Sequence, residues 1–356
     1  MNKIKIILSV TASVLVLSLA AAGVFNMGLD KIFGNVAVLS MAAAAPEGAR
    51  GTLSSLFFSE SSEVISPSEP QTNTVEQAAA PITGKVDVSA VTEQKMGNII
   101  KKTLSPYNAN TQWNNVYINK KFSESIDIAA DLSGKLGFKV VKSDEPQILI
   151  YHTHTTEAFM NDESEYYTNR DEPRSTDAEQ NIVKIGDIIA EKLEEAGYKV
   201  VHDKTIHDHP AFSGSYNRSA ETVKNALEKY PSIKIAIDVH RDSISSGTSD
   251  KIAPVMTVDG REAAQVMLVM GRQTGSVSDY PNWRENLRLA TKLQYVFESN
   301  YPQFARPMLL KSARYNQNLT TGSILLEVGS DANTFEQAKY SAELVGESLV
   351  LLLNSQ

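Results

Sequence analysis

Several histidine and acidic residues stand where predicted strands end. An apolar run ends in His154, a later run ends in His240, and a third runs directly into Glu327. Glu179 falls in the first turn of the helix predicted after the first of these strands. In open α/β sheets, ligands bind outside the carboxyl ends of the strands, and a helix that follows a strand begins at that same edge. The four side chains are therefore expected to converge on one edge of a sheet.

This set of residue types is typical of a catalytic zinc site. Two imidazoles and a carboxylate, with a fourth position left for water, form a common ligand set for catalytic Zn2+. A metal bound in this way lowers the pKa of its water towards about 7. A second carboxylate nearby then serves as general base on that water and as general acid on a departing amine. The position of Glu327 suits that second role.

The residues themselves leave the ligand set open. His152 and His154 point to the same side if their strand stays extended, so either is a candidate ligand. Glu157 competes with Glu179 for the carboxylate position. Plainer interpretations also exist, because acidic residues are favoured near helix N-termini, and a strand-end histidine or a buried Glu327 often has a purely structural partner.

A rival cluster and several other chemistries have less support. Another group of possible ligands lies in a loop after the second strand and lacks convergent partners; it comprises His202, His207, His209 and Asp208. The chain has no GxxxxGK(S/T) phosphate loop, GxGxxG turn, GxSxG elbow or HExxH helix. With no cysteine, disulfide scaffolds and cysteine nucleophiles are excluded.

The elements that must position these residues alternate along residues 144–356. Short apolar runs predict strands, and apolar residues at intervals of three and four predict helices with one buried stripe. The predicted strands lie near residues 147–152, 198–201, 233–239, 266–270 and 324–328, and the predicted helices near 182–196, 219–230, 283–299 and the C-terminus. This alternation predicts an α/β fold with a mostly parallel sheet and helices on both faces.

Helix boundaries carry signals of their own. Asp177 with Gln180 three residues later resembles a capping box, and Gly197 suits the position just after a helix end. Either Asn333 or Thr334 is expected to cap the final helix.

The first part of the chain differs in composition from this domain. Residues 6–25 form an apolar run after Lys3 and Lys5, long enough to span a bilayer with its amino end in the cytoplasm. A signal peptide cleaved near Ala22 is the alternative. We predict a membrane anchor over residues 1–25, a flexible extracytoplasmic linker over 26–95, a pre-catalytic segment over 96–143 and a catalytic domain over 144–356. This places the protein in the cell membrane as a single-pass protein with an extracytoplasmic catalytic domain.

The overall composition narrows the functional class. With 42% hydrophobic and 21% charged residues, the chain is neither wholly disordered nor a multi-span membrane protein. Its formal net charge of −8 argues against a nucleic-acid partner, which would require a basic face.

The order of the motifs resembles the stage II sporulation protein P family of endospore-forming bacteria. The resemblance runs from about Val116 to the C-terminus, and it rests on ILIYHTHTTE at 148–157, IDVHRD at 237–242, YNQ at 315–317, LLEVGS at 325–330, and Asn333 with Thr334. It implies a cell-wall hydrolase similar to zinc N-acetylmuramoyl-L-alanine amidases, which cleave the amide between muramic acid and the first stem-peptide residue of peptidoglycan. It also implies septal wall degradation during engulfment, with stage II sporulation proteins D and M as partners.

The same resemblance implies roles for individual residues. The implied zinc ligands are His154, rather than His152, with Glu179 and His240, and the implied catalytic carboxylate is Glu327. Unlike the broader amidase pattern, this chain has Thr155 and Thr156 where two glycines are expected. We further expect nearby polar groups to orient the ligand imidazoles, namely His152, Asp238 and Asp242. An endopeptidase that cuts peptide cross-links with the same metal, and a non-catalytic wall-binding scaffold, are the alternative functions.

Overall fold

The computed structural model describes residues 92–247 and 249–356. The predicted anchor over residues 1–25 and nearly all of the predicted linker over 26–95 lie outside this part of the chain. Within the described residues, no helix combines the length and the apolar character needed to cross a bilayer.

Strands and helices alternate along most of the described residues. The strands are β1 Lys95–Lys102, β2 Thr111–Trp113, β3 Val116–Lys120, β4 Ile148–Tyr151, β5 Tyr166–Thr168, β6 Val200–His202, β7 Ile235–Asp242, β8 Lys251–Val258, β9 Arg261–Ala264, β10 Val266–Gly271, β11 Met308–Lys311 and β12 Ser323–Ser330. The α-helices are α1 Ile128–Ser133, α2 Ile182–Glu195, α3 Ser215–Lys229, α4 Trp283–Asn300 and α5 Phe335–Asn354.

The main sheet has eight strands in the order β2-β3-β11-β10-β12-β7-β4-β6. Successive residues of a strand point to opposite faces of the sheet, so each strand supplies two different surfaces. On the first face, buried residues such as Ile150, Ile237 and Leu326 pack with α2, α4 and α5 in the largest core cluster. Burial of this face against three helices supplies most of the apolar stabilisation of the fold.

The second face of this sheet is covered over only part of its width. Near β4 and β7, α3 packs on it through a small cluster made of Leu149, Tyr151, Val223, Ile233 and Ala236. Nearer β10 and β11, the same face carries a separate apolar cluster of Met267, Val269 and Leu325 with Leu309 and Tyr315, none of which belongs to a helix. Beside the strand ends the second face therefore has no covering helix, although Met267, Val269 and Leu325 are buried there.

The sheet is mixed, which corrects the prediction of a mostly parallel one. Strand direction reverses between β10 and β12 and again between β2 and β3. β10 follows β8 and β9 directly, without an intervening helix. Parallel neighbours require a crossover connection, usually a helix, so a strand that arrives through a hairpin enters the sheet in the opposite direction.

A second sheet of four strands, in the order β5-β1-β8-β9, is not predicted by the sequence pattern. In this second sheet β1 pairs with β8 in parallel. In the main sheet, β3 lies next to the edge strand β2 and pairs with β11. The predicted pre-catalytic segment over 96–143 thus contributes strands to both sheets.

Caps fix the two helices that flank the strand ends. Thr334 caps α5 in a capping box with Gln337, which confirms one of the two predicted caps. The predicted box at Asp177 is wrong, because α2 begins later and its N-cap is Asn181, whose side chain accepts a hydrogen bond from the Val183 amide. The end of α2 is followed, as predicted, by Gly197 with a positive φ of 89°.

A bulge follows Glu327 in β12. The pairing register with β7 shifts between Glu327 and Ser330, and Gly329 within this bulge has a φ of 66°. A Cβ at Gly329 would lie 2.7 Å from the Asn333 Oδ1 atom, so only glycine fits there. The bulge ends regular pairing just after Glu327 and sets where its strand leaves the sheet.

Candidate active site

Strand alternation gathers acidic and imidazole side chains on the second face of the main sheet. Asp238, His240 and Asp242 are alternate residues of β7 and therefore share a face. Glu327 of β12 lies directly opposite His240 in the parallel pairing of these strands. Residues that face each other across neighbouring strands point to the same side, so Glu327 joins the β7 side chains at this end of the sheet.

His240 is the centre of this group and is almost completely buried. Its Nε2 atom lies 2.9 Å from Asp238 Oδ1, and its Nδ1 atom lies 3.5 Å from Glu157 Oε2. The Asp238 contact lacks hydrogen-bond geometry, so Nε2 has no hydrogen-bond partner among the described residues. Burial alone lowers the pKa of His240, but the carboxylates of Asp238 and Glu157 outweigh it and hold that pKa well above its usual value.

His154 lies in the turn that follows β4 and faces His240 edge to face. The two ring centroids are 5.2 Å apart with an interplanar angle of 89°. Phe212 stacks on the other side of the His154 ring at 4.4 Å. Burial, with the neighbouring His240, lowers the pKa of His154 to about 4, so this imidazole is neutral at neutral pH.

Glu327 has one oxygen that is buried without a partner. The residue as a whole is half-buried, yet its Oε2 atom is shielded from solvent and accepts no hydrogen bond within the described part of the chain. Burial raises the pKa of Glu327 to about 8, and the charge of Asp242 adds to this increase. A carboxyl group of this kind is suited to hold and release a proton.

Glu157, which the sequence leaves as an alternative, is the carboxylate that contacts His240. It lies in the turn after β4, is only 5% exposed, and its Oε2 atom accepts a hydrogen bond from the Arg241 amide at 2.9 Å. Burial opposes ionisation, but the hydrogen bond from His240 keeps the pKa of Glu157 well below its usual value. The HTHTTE turn thus supplies both His154 and a buried carboxylate.

Glu179 takes a different position from the one that the sequence predicts. It precedes the first turn of α2, and its side chain is 68% exposed and pairs with Lys184 at 2.7 Å. Because Asn181 caps the helix instead, Glu179 stays in the loop and points to solvent. The described residues show no contact between Glu179 and either His154 or His240.

The other histidines have structural partners. His152 Nδ1 donates to Val239 O at 2.8 Å, its Nε2 atom lies 2.8 Å from His202 Nε2, and His202 Nδ1 lies 2.9 Å from Asp187 Oδ1. The rival cluster does not form, because His207 bonds to His152 O and Thr222, while His209 is exposed. His152 therefore lies on the α2 side of the sheet, away from His154.

The donor atoms around His240 have the right chemistry for a zinc ion but are not arranged as a metal-binding group. Among the described residues, no set of three or more His, Cys, Asp or Glu side chains is placed to hold a metal. Neutral imidazoles and a carboxylate are nevertheless the ligand types that zinc prefers, and His240 would have to release its proton to bind. They are supplied by His154, His240 and Glu157.

A cavity of about 760 Å3 opens beside the HTHTTE turn. Phe212 and Arg174 line it, and the Arg174 guanidinium lies 4.7 Å from the Phe212 ring on which His154 also stacks. Asp208 holds Arg174 through a contact of 2.5 Å. Phe212, which is 54% exposed, thus shields His154 at the cavity wall, a role that no local sequence signal predicts.

Fold and site together define a mixed α/β protein with an imidazole and carboxylate site at its strand ends. A model of the family described as stage II sporulation protein P matches residues 58–350. The chain therefore belongs to the stage II sporulation protein P family. It is 28% identical over 220 residues to the stage II sporulation protein P of Bacillus subtilis (strain 168), a match that spans 59% of this chain and about half, 51%, of that relative.

Two N-acetylmuramoyl-L-alanine amidases are among the solved structures to which this chain is similar, at low identity. An N-acetylmuramoyl-L-alanine amidase from Clostridium difficile 630 is 14% identical and covers 60% of this chain and 97% of its own, with a TM-score of 0.37. The amidase AmiC2 of Nostoc punctiforme is also 14% identical, with the same coverages of 60% and 97% and a TM-score of 0.35.

Proposed function

We propose that this protein is a peptidoglycan hydrolase that cleaves the amide between N-acetylmuramic acid and the L-alanine of the stem peptide. Its place in the stage II sporulation protein P family supports a role in sporulation, and we propose septal wall degradation during engulfment as that role. The observation that carries the proposal is the position of Glu327, a half-buried carboxyl group opposite His240 with an unpartnered oxygen among the described residues.

We further propose that the site holds a zinc ion through His154, His240 and Glu157, with Glu179 as the alternative carboxylate. When bound, zinc would polarise the scissile carbonyl and lower the pKa of a water molecule. Since the donors are not gathered as a metal-binding group, binding would require these side chains to shift. Asp238 lies 2.9 Å from His240 Nε2, so a zinc ion at that nitrogen would displace this contact.

Glu327 carries the proton transfers in this proposal. In its ionised form it would take a proton from the attacking water and pass it to the departing amine of L-alanine. The hydrogen bond from the Arg241 amide anchors Glu157 and limits how far its carboxylate moves relative to His240. Phe212 excludes water from one side of the His154 ring by stacking on it.

We propose that the protein acts outside the cytoplasm while anchored in the cell membrane. The apolar run over residues 6–25, preceded by two lysines, supports a single-pass anchor with an extracytoplasmic catalytic domain. Peptidoglycan is then the partner that the site acts on, and stage II sporulation proteins D and M are proposed as protein partners.

The Glu327→Gln variant tests the proposed reaction. It keeps the side-chain shape but cannot accept a proton, so we expect at least about 100-fold slower wall hydrolysis with unchanged metal content and folding. Glu298→Gln is the matched control, because Glu298 is also buried but lies on α4, on the other face of the sheet. Hydrolysis by Glu327→Gln at the wild-type rate would remove this residue from the mechanism.

Mass analysis of the digested wall separates the proposed amidase from its alternatives. An amidase releases intact stem peptides, whereas an endopeptidase leaves the bonds between glycan and peptide whole. Absence of any cleavage product with the wild-type chain, together with binding to the wall, would indicate the scaffold instead.

A further inference from the structure

A second cavity lies where no helix covers the second face of the main sheet, on the Glu327 side of the site. It has a volume of about 420 Å3, and its lining includes Met267, Leu309, Pro307, Asp242 and Arg306. Met267 is paired directly opposite Glu327 in the register of β10 and β12. The cavity therefore begins one strand away from the proposed catalytic carboxyl group.

Arg306 is fixed in the wall of this cavity by its backbone and by one end of its side chain. Its amide donates to Val266 O at 2.8 Å, and its carbonyl accepts from the Gln294 side chain at 3.1 Å. The side chain reaches across the sheet, where Nη1 donates to Asp242 Oδ2 at 2.8 Å. These contacts hold the guanidinium in one place without using its other donors.

The remaining edge of the Arg306 guanidinium is buried and unpaired. The residue is only 5% exposed, and neither Nε nor Nη2 has a hydrogen-bond partner among the described residues. Buried donors without partners are costly, and for charged groups the cost is larger. Both donors are shielded from solvent, so an acceptor that reached them as a neighbouring side chain moved aside would gain binding energy.

The geometry of that edge selects the type of acceptor. Nε and Nη2 carry parallel N–H bonds on the side of the guanidinium away from Nη1, and a carboxylate accepts both at once. Asp242 uses only one of the five donors and is partly exposed, so the same guanidinium has room for a second carboxylate. A lysine at this position would supply the charge but not the paired donors.

We propose that Arg306 is a specificity-determining residue that binds a carboxylate of the stem peptide close to the scissile amide. The inference rests on the proposed function, because it takes the substrate to be a muramoyl peptide. At about 3.3 to 3.6 Å per extended residue, a cavity one strand from Glu327 corresponds to a group within about two residues of the cleaved bond. The flexible Met267 side chain, which lines the cavity, can turn aside as the carboxylate enters.

A pair of substrates tests this assignment. The two muramoyl peptides differ only in the α-carboxyl group of the second stem residue, which is a free carboxylate in one and a primary amide in the other. With the full chain we expect kcat/KM to favour the carboxylate by roughly 10- to 100-fold, mainly through KM. Arg306→Lys should reduce that preference to a few-fold, and Arg306→Gln should abolish it, so that the two substrates are cleaved with equal kcat/KM.

Two controls separate recognition from folding. Arg272→Lys alters another partly buried arginine at the far end of β10, and should leave the preference intact. Asp242→Asn combined with Arg306→Gln avoids leaving Asp242 without its cation, so its melting temperature should stay close to that of wild type while the preference is lost. Equal preference in wild type and Arg306→Gln, or equal losses for both substrates, would overturn the assignment.

The outcome is distinguishable from failure of the proposed function. If the wild-type chain cleaves neither substrate, the amidase proposal fails, and calorimetric binding of the two peptides then decides the role of Arg306 by itself. Tighter binding of the carboxylate form by wild type, lost in Arg306→Gln, would support the subsite. Equal binding of both forms would reject it.

Discussion

Two pairs of histidines lie on opposite faces of the same sheet, and they differ in what their ring nitrogens contact. In the first pair, Nδ1 of His152 contacts Val239 O, Nδ1 of His202 contacts Asp187, and the two Nε2 atoms lie 2.8 Å apart. His154 and His240 instead meet edge to face, and Nε2 of His240 has no hydrogen-bond partner in the described part of the chain. Imidazoles whose nitrogens contact other protein groups stabilise the structure, whereas a nitrogen without a hydrogen-bond partner remains available to a ligand.

The difference originates where β4 ends. Residues of β4 alternate between the two faces up to Tyr151, which places His152 on the α2 side. The turn that follows breaks the alternation and carries His154 over to the α3 side, where Ser215 lies 3.3 Å from its Nδ1 atom. Two histidines only two positions apart therefore have unrelated environments.

Replacing one histidine of each pair by alanine should give the largest difference between the two pairs. His240→Ala should lower the zinc content and reduce hydrolysis by well over 100-fold, which exceeds the roughly 10- to 100-fold typical of residues that only orient a ligand. His152→Ala should keep its zinc but lose about 2 to 4 kcal/mol of stability, because it leaves a cavity and unpaired buried groups. Metal analysis and denaturant unfolding of both purified variants measure the two effects.

The two variants control each other. If His152→Ala lost zinc while His240→Ala kept it, the assignment of the two pairs would have to be reversed.

The carboxylates offer the second test, because Glu157 is buried against His240 and Glu179 is exposed. Glu157→Gln should slow hydrolysis by roughly 10- to 100-fold, whether it binds the metal or only orients His240. Glu179→Gln removes a surface ion pair with Lys184, and should change activity by less than about twofold and stability by less than about 1 kcal/mol. Initial rates on purified wall material, measured side by side, decide between them, and a larger loss in Glu179→Gln would restore the carboxylate that the sequence pattern favours.

Local patterns in the sequence predict which residues stand at strand ends but not which way the chain turns beyond them. The apolar runs around Ile150, Ile237 and Leu326 are read correctly, since periodicity depends only on near neighbours. The turn that separates His154 from His152 depends on contacts with α2 and α3, as does the burial of Glu157. The same holds for Arg306, which reaches Asp242 from 64 positions away along the chain.

The reversal of β10 and the second sheet escape prediction for a related reason. The predicted alternation of strands and helices contains no signal for the β8–β9 hairpin, so it predicts a mostly parallel sheet. β1 lies in a segment with few buried residues, and its pairing partners are β5 and β8, far along the chain. Long-range pairing of this kind carries no local periodicity.

Two glutamates differ in the same way, by whether their carboxylate oxygens have hydrogen-bond partners. Glu298 accepts hydrogen bonds from the Gln303 and Ala305 amides at 2.9 and 2.7 Å, whereas Glu327 has an oxygen without a partner among the described residues. Burial raises the pKa of Glu298 from 4.5 to about 7, although the two amides oppose this. A folded-state pKa above the unfolded one means that the contribution to stability is complete below pH 4.5 and is lost as the pH rises through about 7.

Glu298 should therefore make the protein less stable as the pH rises. Between pH 5 and 7 we expect it to account for a loss of about 2 kcal/mol. Glu298→Gln cannot ionise, so its unfolding free energy should fall less over this range, even though its amide satisfies only one of the two backbone donors at any pH. Urea unfolding of both proteins at the two pH values measures the difference, and parallel pH dependences would show that this carboxyl group has an ordinary pKa.

The smallest expected change in stability concerns the residue of α2 that packs on His152 and His202. Gly186 of α2 lies so close to His152 and His202 that a Cβ atom would be 2.7 and 2.6 Å from their Nε2 atoms. In an exposed helix, Gly→Ala stabilises by about 1 kcal/mol, but overpacking of a core typically costs about 1 to 3 kcal/mol. Gly186→Ala should therefore destabilise the protein by about 1 kcal/mol net while hydrolysis stays near the wild-type rate. Gly275→Ala, in the loop after β10, is a control for the steric effect alone, since a Cβ there meets nothing within 4 Å. A stabilised Gly186→Ala would show that the two imidazoles move apart freely. His152 and His202 would then not form a rigid structural pair.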